Sequence, residues 1–511
     1  MRFRLVFVLY FAGGGGGYAL PVIRLIGSLN GRKAVNGSVK GNAMRTRRRG
    51  LTLGFGIGIW ALAALAVASE KEATPARARY LLLDSRLVGT TDNARLAVGT
   101  VTKHPANPLF KEDKPWEPRF DNLYANILYD EDENLYKCWY SPFIVDKAAS
   151  DTPREQRAKV PYRPRGREMG VCYATSKDGL TWVKPELGLV AFEGSKANNL
   201  LVRGPHGAGV FKDRRETVPQ RRYKMFYQGM NVRFSPDGMH WSEAVPCPQI
   251  AAAGDTHNNA FWCPDLNKYV GITRLWDGQR IVGRTESADF VQWTKAVEVL
   301  RGDGDNQVYA MPVFRYADVY LGLAMVFRPQ PNRVHCELAW SPDTVTWHRI
   351  DPGTPLIPLS EKPGDYDWGC AYAAACPVFL EDAIRLYYGA SNGTHNGWRD
   401  GFLCLATLRP DGFAGYEPQD KSRPAAIVTQ PLVFSGPTLR VTADAKGGSL
   451  RVAVLDADGR RLATGLPITA DVTDAAVAFE GGADLAALRG GRARLRFELT
   501  GAKLYAFAFG D

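Results

Sequence analysis

The sequence predicts an all-β protein, a five-bladed β-propeller followed by a C-terminal β-sandwich. Three observations predict it. The pattern S-x-D-x-x-x-W recurs four times at blade-like intervals. Five strand-like runs rich in aromatic and branched residues each follow a polar or acidic residue. Beyond residue 417 aromatic content falls, and strict two-residue alternation takes over. A chain of 511 residues is long enough for more than one sizeable core.

The first 68 residues read as a leader. They carry ten Lys or Arg and no acid. Without them the chain has 54 basic against 53 acidic residues, so all but one of the +11 net charge belongs to the leader. That removes the case for a nucleic-acid partner. A secretory signal is read from Met44 to Ala68. Arg45, Arg47, Arg48 and Arg49 form its basic region, Leu51 to Ala66 its apolar stretch, and Ala66-Val67-Ala68 its cleavage site. The protein is then exported, periplasmic or extracellular, with no stable membrane insertion once the signal is cut. An uncleaved anchor is the alternative, although the apolar stretch is short for a span. Residues 1–43 are sequence upstream of the true start or a second apolar leader.

Residues 69–118 form an N-terminal extension packing on the propeller, which occupies 119–425. The four boxes run from Ser176 to Trp182, Ser235 to Trp241, Ser287 to Trp293 and Ser341 to Trp347. Their starts are 59, 52 and 54 residues apart, and such a period marks a repeat architecture. Each box predicts a hairpin in which the Asp accepts from turn amides and the Trp packs between sheets. The opening strands follow Asp121, His206, Asp255, Asp305 and Asp367. The fifth unit has no full box, only Pro410-Asp411-Gly412-Phe413. Residues 145–168, polar and rich in Pro and Arg, read as a loop inserted in blade one.

Residues 430–511 read as the sandwich. Leu450/Val452/Val454, Leu495/Phe497/Leu499 and Tyr505/Phe507/Phe509 alternate with small or charged residues, the pattern of half-buried antiparallel strands. Ala457-Asp458-Gly459 is a hairpin-turn signal. The eight cysteines show no C-x-x-C pair and no zinc spacing, so they read as buried free thiols, with oxidation after export as the alternative. No metal and no cofactor is implied.

In a propeller the starts of the innermost strands converge on one mouth. That places Asp121-Asn122, His206, Asp255-Thr256-His257-Asn258, Asp305-Asn306 and Asp367-Trp368 together. Carboxylates and amides bind hydroxyls, and indoles such as Trp368 and Trp398 stack on sugar faces, so a carbohydrate is the expected partner. Alternatively each Asp merely caps a turn. Glycoside hydrolysis needs two carboxyl groups, one acid and one base or nucleophile. Asp121 and Asp255 are the leading pair, with Asp367 and Glu337 as alternates. Glu337 is a possible acid or an outward strand residue paired with a base. Asn122, His206, His257, Asn258, Asp305, Trp368, Trp398 and Arg399 are expected to bind substrate. Arg274, Arg284 and Arg399 line an acidic-substrate pocket or form surface pairs. No H-E-x-x-H, G-x-S-x-G or P-loop motif is present.

The repeats and opening strands resemble the five-bladed propeller glycosidases of glycoside hydrolase families 32 and 43. Lys103-His-Pro-Ala-Asn-Pro-Leu-Phe is similar to the H-P-x-N-P segment before blade one in those enzymes and in the related mannoside phosphorylases. The boxes are similar to the Asp boxes of sialidases. The resemblance spans about residues 100–511, and the propeller followed by a sandwich is similar to the family 32 layout. Where family 32 enzymes carry W-x-N-D-P-N-G, this chain has Trp116-Glu-Pro-Arg-Phe-Asp121-Asn122. The resemblance therefore implies only Asp121, as nucleophile or base. The family's R-D-P has no match, because His206-Gly-Ala-Gly stands in its place. The expected function is an exported glycoside hydrolase. A non-catalytic carbohydrate-binding propeller and a glycoside phosphorylase are the alternatives.

Overall fold

A computed structural model describes residues 79–510. The expected signal and the rest of the leader lie outside the described residues. Within them, no helix is long and apolar enough to cross a membrane.

Five antiparallel blades follow one another along the chain. Blade one comprises Asn126–Asp130, Leu135–Tyr140, Arg167–Ser176 and Trp182–Val183, and blade two Gly209–Lys212, Tyr223–Tyr227, Asn231–Ser235 and Val245–Pro246. Blade three is Asn259–Cys263, Lys268–Trp276, Arg280–Ser287 and Val297–Arg301. Blade four opens with Gln307–Ala310 and Val313–Tyr316 and continues through Val319–Arg328, Arg333–Ser341 and His348–Arg349. Blade five has Cys370–Ala373, Val378–Phe379, Ile384–Ser391 and Gly401–Leu408. Its outer strand comes from far upstream, as Thr102–Lys103 and Phe110–Lys111 pair with Gly401–Leu408.

Side-chain amides close the ring where the innermost strands meet. Asn126 of blade one accepts from Val210 N at 2.9 Å and donates to Ala208 O at 2.7 Å in blade two. Asn259 of blade three accepts from Val313 N of blade four at 3.1 Å. Ala375 N of blade five donates to Ala125 O of blade one at 2.9 Å. These bonds satisfy backbone groups that no sheet ladder reaches. Two glycines are dictated by the same crowding. A Cβ on Gly207 would lie 1.6 Å from Thr256 O, and one on Gly389 would lie 2.6 Å from Asn122 O.

The four boxes form the predicted turns. Asp178, Asp237, Asp289 and Asp343 each accept two successive amides at 2.7–2.9 Å and the box serine hydroxyl at 2.8–3.1 Å. Trp293 lies stacked on Phe226 of blade two, with centroids 5.3 Å apart, and Trp182 meets Tyr387 of blade five edge-on at 6.1 Å. A box tryptophan thus packs against the preceding blade.

The sandwich has two sheets. One contains Ala94–Val98, Ala414–Pro418, Lys503–Gly510, Thr438–Asp444 and Asp471–Ala476, with Arg79–Leu81 added against Lys503–Gly510. The other contains Val88–Asp92, Ala425–Thr429, Arg492–Thr500, Ser449–Leu455 and Arg461–Thr464. The N-terminal extension therefore divides, with residues 79–98 joining the sandwich and 102–111 the fifth blade. Leu450, Val452, Val454, Leu495, Phe497, Leu499, Phe507 and Phe509 share the sandwich core as their alternation predicts. Lys503–Gly510 departs from the half-buried pattern. Its Phe507 faces the sandwich core while Ala506 packs into the propeller core, so both faces are covered. Asp411 ties the two halves together by accepting from Tyr316, Arg79 and Thr442. Seven of the eight cysteines are buried, Cys376 is half-buried, and all are free thiols.

Candidate functional site

The mouth of the propeller holds a cavity of about 910 Å³. Two parts of each blade can reach a propeller mouth: the start of the innermost strand and the hairpin between the second and third strands. Here both contribute. The strand starts supply Asp121, His206 and Asp255, while Tyr309 comes from the innermost strand of blade four. The hairpins supply Gln228, Arg280, His395 and Asn396, together with Tyr162, Arg165 and Arg167 from the long loop of blade one.

Asp121 sits on an unusual turn. Asp121, Leu123 and Tyr124 have φ of 57°, 63° and 46°, the left-handed region that residues with a Cβ seldom occupy. Such backbone costs on the order of 1–3 kcal/mol per residue and needs support from its surroundings. Leu123 N bonds Phe120 O at 3.0 Å, Ser141 N bonds Leu123 O at 2.8 Å, and Phe120 N donates to Glu112 Oε1 at 2.6 Å. The buried Arg399 completes the hold, its Nη2 donating to Asp121 Oδ1 at 2.7 Å and to Asn122 Oδ1 at 2.9 Å. Arg119 Nε adds a bond to Asp121 at 3.3 Å, and its guanidinium lies 3.9 Å over the Tyr162 ring. Burial alone would raise the Asp121 pKa, but the charges of Arg399 and Arg119 outweigh it and hold the carboxylate ionised, well below the usual range.

Asp255 is held from two sides. His206 Nε2 meets its Oδ1 at 3.0 Å, and Arg274 Nη2 donates to its Oδ2. The His206 bond and the Arg274 charge depress its pKa despite partial burial. With an ionised carboxylate as its partner, Nε2 of His206 is the proton-bearing ring nitrogen. His395 is buried beside Arg399, Arg280 and Arg119, and burial pushes its pKa down to about 3, so it is neutral. Its Nδ1 lies 2.7 Å from Tyr372 Oη, which also accepts from Arg399 Nη1 at 3.3 Å.

Of the expected site residues, Asp121, His206 and Asp255 line the cavity. Arg274, Arg399 and Asn122 stand behind them and position them. Others serve the scaffold. Asn258 Nδ2 donates to the carbonyls of Gly207, Gly254 and Thr256, and its Oδ1 accepts from Thr273. His257 is fully buried against Tyr124, and burial lowers its pKa to about 3.

Five residues expected at the mouth stand elsewhere. Glu337 does not face the mouth, since His335 and Arg349 bind its two oxygens at 2.7 and 2.6 Å and Gly353 N donates to it at 3.1 Å. It is the strand residue paired with a base. Asp367 is buried against Lys103 at 2.6 Å and Tyr388 at 3.0 Å. Asp305 is exposed and lies outside the cavity lining, where Tyr309 stands for blade four. Trp368 is covered by Arg333 at 4.8 Å. Trp398 also leaves the main cavity. Its Nε1 donates to Val160 O at 2.7 Å, and its ring borders a smaller hollow of about 260 Å³. Arg284 is engaged by Thr344 and Glu286.

No family model matches the chain, and no curated protein matches it. Among solved structures it is similar to an N-acetylgalactosamine deacetylase from F. plautii in complex with blood group B trisaccharide, at 14% identity and TM-score 0.41, over 62% of this chain and 96% of that one. It is similar to a structure reported with the GH130 family of mannoside phosphorylases, described as containing glycoside hydrolases that target β-1,2 mannosidic linkages in Candida mannan. There identity is 14%, the TM-score 0.42, and coverage 61% and 95%. A structure from Bacteroides thetaiotaomicron aligns at 17% identity and TM-score 0.41, over 61% of this chain and 97% of that one.

Proposed function

We propose that the chain is an exported carbohydrate-active enzyme that hydrolyses a glycosidic bond at the propeller mouth, with Asp121 and Asp255 as its carboxylates. The observation that carries this reading is the pair itself. Blades one and three, far apart in sequence, each present a carboxylate to one cavity, and an arginine fixes each in position. Glycoside hydrolysis asks for two carboxyl groups on opposite sides of a bound sugar. Asp121, ionised and fixed by Arg399, has the state a base or nucleophile requires. On this reading Asp255 gives the leaving oxygen its proton from its carboxyl form, and His206 and Arg274 position it. Export rests on the leader read at Met44.

One observation favours a second reading, a propeller that binds a saccharide without cleaving it. Both cavity carboxylates are held ionised, whereas a glycosidase acid is normally a carboxyl whose pKa is raised.

Turnover of a glycan panel by the wild type, Asp121→Asn and Asp255→Asn separates the two. Hydrolysis predicts that each variant loses about 10²–10⁴-fold in rate on the glycan that the wild type cleaves. Binding with no turnover supports the second reading, and cleavage indifferent to both substitutions removes these residues from the chemistry.

A further inference from the structure

The charge of the mouth is unbalanced. Arg119, Arg165, Arg167 and Arg280 line the cavity, against Asp121 and Asp255. Arg119 is engaged by Asp121 at 3.3 Å and Arg165 by Asp151 at 2.8 Å. Both cavity carboxylates already have an arginine of their own, the buried Arg399 and the half-buried Arg274. They are not free to neutralise the rest. Among the described residues, Arg280 has no carboxylate within ion-pair distance. Its Nη1 donates to the neutral Gln307 amide at 2.7 Å, and its Nε is buried without a partner. Its guanidinium carbon lies 5.2 Å from the ring centroids of both Tyr309 and Phe327.

A half-buried guanidinium lacking a counter-ion is costly, and burial accordingly pulls the Arg280 pKa down. Its neighbour His395 adds a second donor. Tyr372 Oη accepts from Arg399, so its own proton goes to His395 Nδ1 and the other ring nitrogen of His395 carries hydrogen. This side of the cavity therefore offers donors and positive charge. The saccharide hydroxyls expected here are neutral and would leave that charge uncompensated.

We propose that Arg280 receives an oxyanion borne by the saccharide itself, a carboxylate or a sulfate ester, so that the substrate class is an acidic glycan. The inference rests on the reading of the mouth as a saccharide site. A substrate-borne anion is favoured over a free one by size, since the cavity of about 910 Å³ far exceeds what a small ion fills. Arginine is also the residue suited to planar oxyanions in partly desolvated sites.

The test uses the full chain. An array holding uronate-containing, sulfated and neutral glycans identifies the bound members. Calorimetry then compares the best acidic member with its carboxyl-reduced or desulfated form, on the wild type, Arg280→Gln and Arg280→Lys. The expected result is that removing the anion weakens wild-type binding about tenfold or more, the effect of one lost charged hydrogen bond. Arg280→Gln closes the gap between the two forms, and Arg280→Lys keeps most of it. The comparison of the two glycans on the wild type stands even if the Gln variant misfolds. Equal wild-type affinity for both forms overturns the proposal. If Asp121→Asn changes that affinity, the saccharide site survives and only the anion is lost. Arg280-dependent binding of inorganic phosphate or sulfate, with both glycan forms bound alike, also overturns it and assigns the guanidinium to a free ion. Absence of any glycan binding removes both readings.

Discussion

Glu112 is a carboxyl behind the mouth, outside the cavity lining. Its Oε1 accepts from Phe120 N at 2.6 Å and Gly401 N at 3.2 Å, which joins the Asp121 turn to blade five. Burial is the dominant influence and raises its pKa from 4.5 to about 7. Between those values the folded chain retains a proton that the unfolded chain has released. Stability from this group is therefore greatest at low pH and is lost as pH rises from 4.5 through about 7. His257 and His395, buried and neutral, act in the opposite sense over the lower part of that window, because folding lowers their pKa. The informative quantity is the difference between a variant and the wild type. Glu112→Gln keeps an oxygen for the two amides and removes the ionisation. It should gain on the order of 1–3 kcal/mol over the wild type on going from about pH 5 to about pH 8. Denaturant unfolding at the two pH values measures this, and a constant difference would show that Glu112 does not titrate there.

The box hairpin is the repeated element, and its two signature residues do different work. Asp289 accepts from Val291 N and Gln292 N at 2.8 and 2.7 Å on an exposed turn. Trp293 is 4% exposed and stacks on the neighbouring blade. Asp289→Ala should cost about 1–2 kcal/mol, as loss of a capping side chain does. Trp293→Ala should cost about 3–5 kcal/mol by leaving a cavity between blades. Denaturation midpoints give the order, and a larger loss at Asp289 would reverse these assignments. These elements were legible because both needs are local: an Asp two residues after a Ser, and a Trp four residues later. The cavity lining was legible only in part. Asp121, His206 and Asp255 could be read because strand starts converge in any propeller. Arg280, His395 and Arg167 come from hairpins whose reach into the mouth depends on loop length and side-chain direction, which no periodicity encodes. Glu337 and Asp367 misled for a related reason, since a buried strand carboxylate looks the same in sequence whether its partner is Arg349, Lys103 or a sugar.

At the scale of the whole molecule, both halves are completed by the same upstream segment. Thr102 pairs with Thr407, Lys103 with Ala406, and Arg79 with Ala508. A chain beginning at Asp113 would lack the outer strand of blade five and three sandwich strands, exposing a paired edge and a large apolar face. It should fail to fold cooperatively, appearing as aggregate in size-exclusion chromatography and as a protease-sensitive C-terminal half. A monodisperse, protease-resistant fragment would show instead that the propeller closes without that strand. The pairing also imposes an order in time. Residues 79–111 leave the ribosome before any of the strands they pair with, and the last of these, Lys503–Gly510, follows about 400 residues later. Contacts separated by so much sequence form slowly, because the loop between them must close first. The two exposed edges therefore wait, unpaired, until those distant strands have been made. A chain stalled before Lys503 would lack the strand that seals the sandwich against the propeller, so neither half can be finished until that strand has emerged.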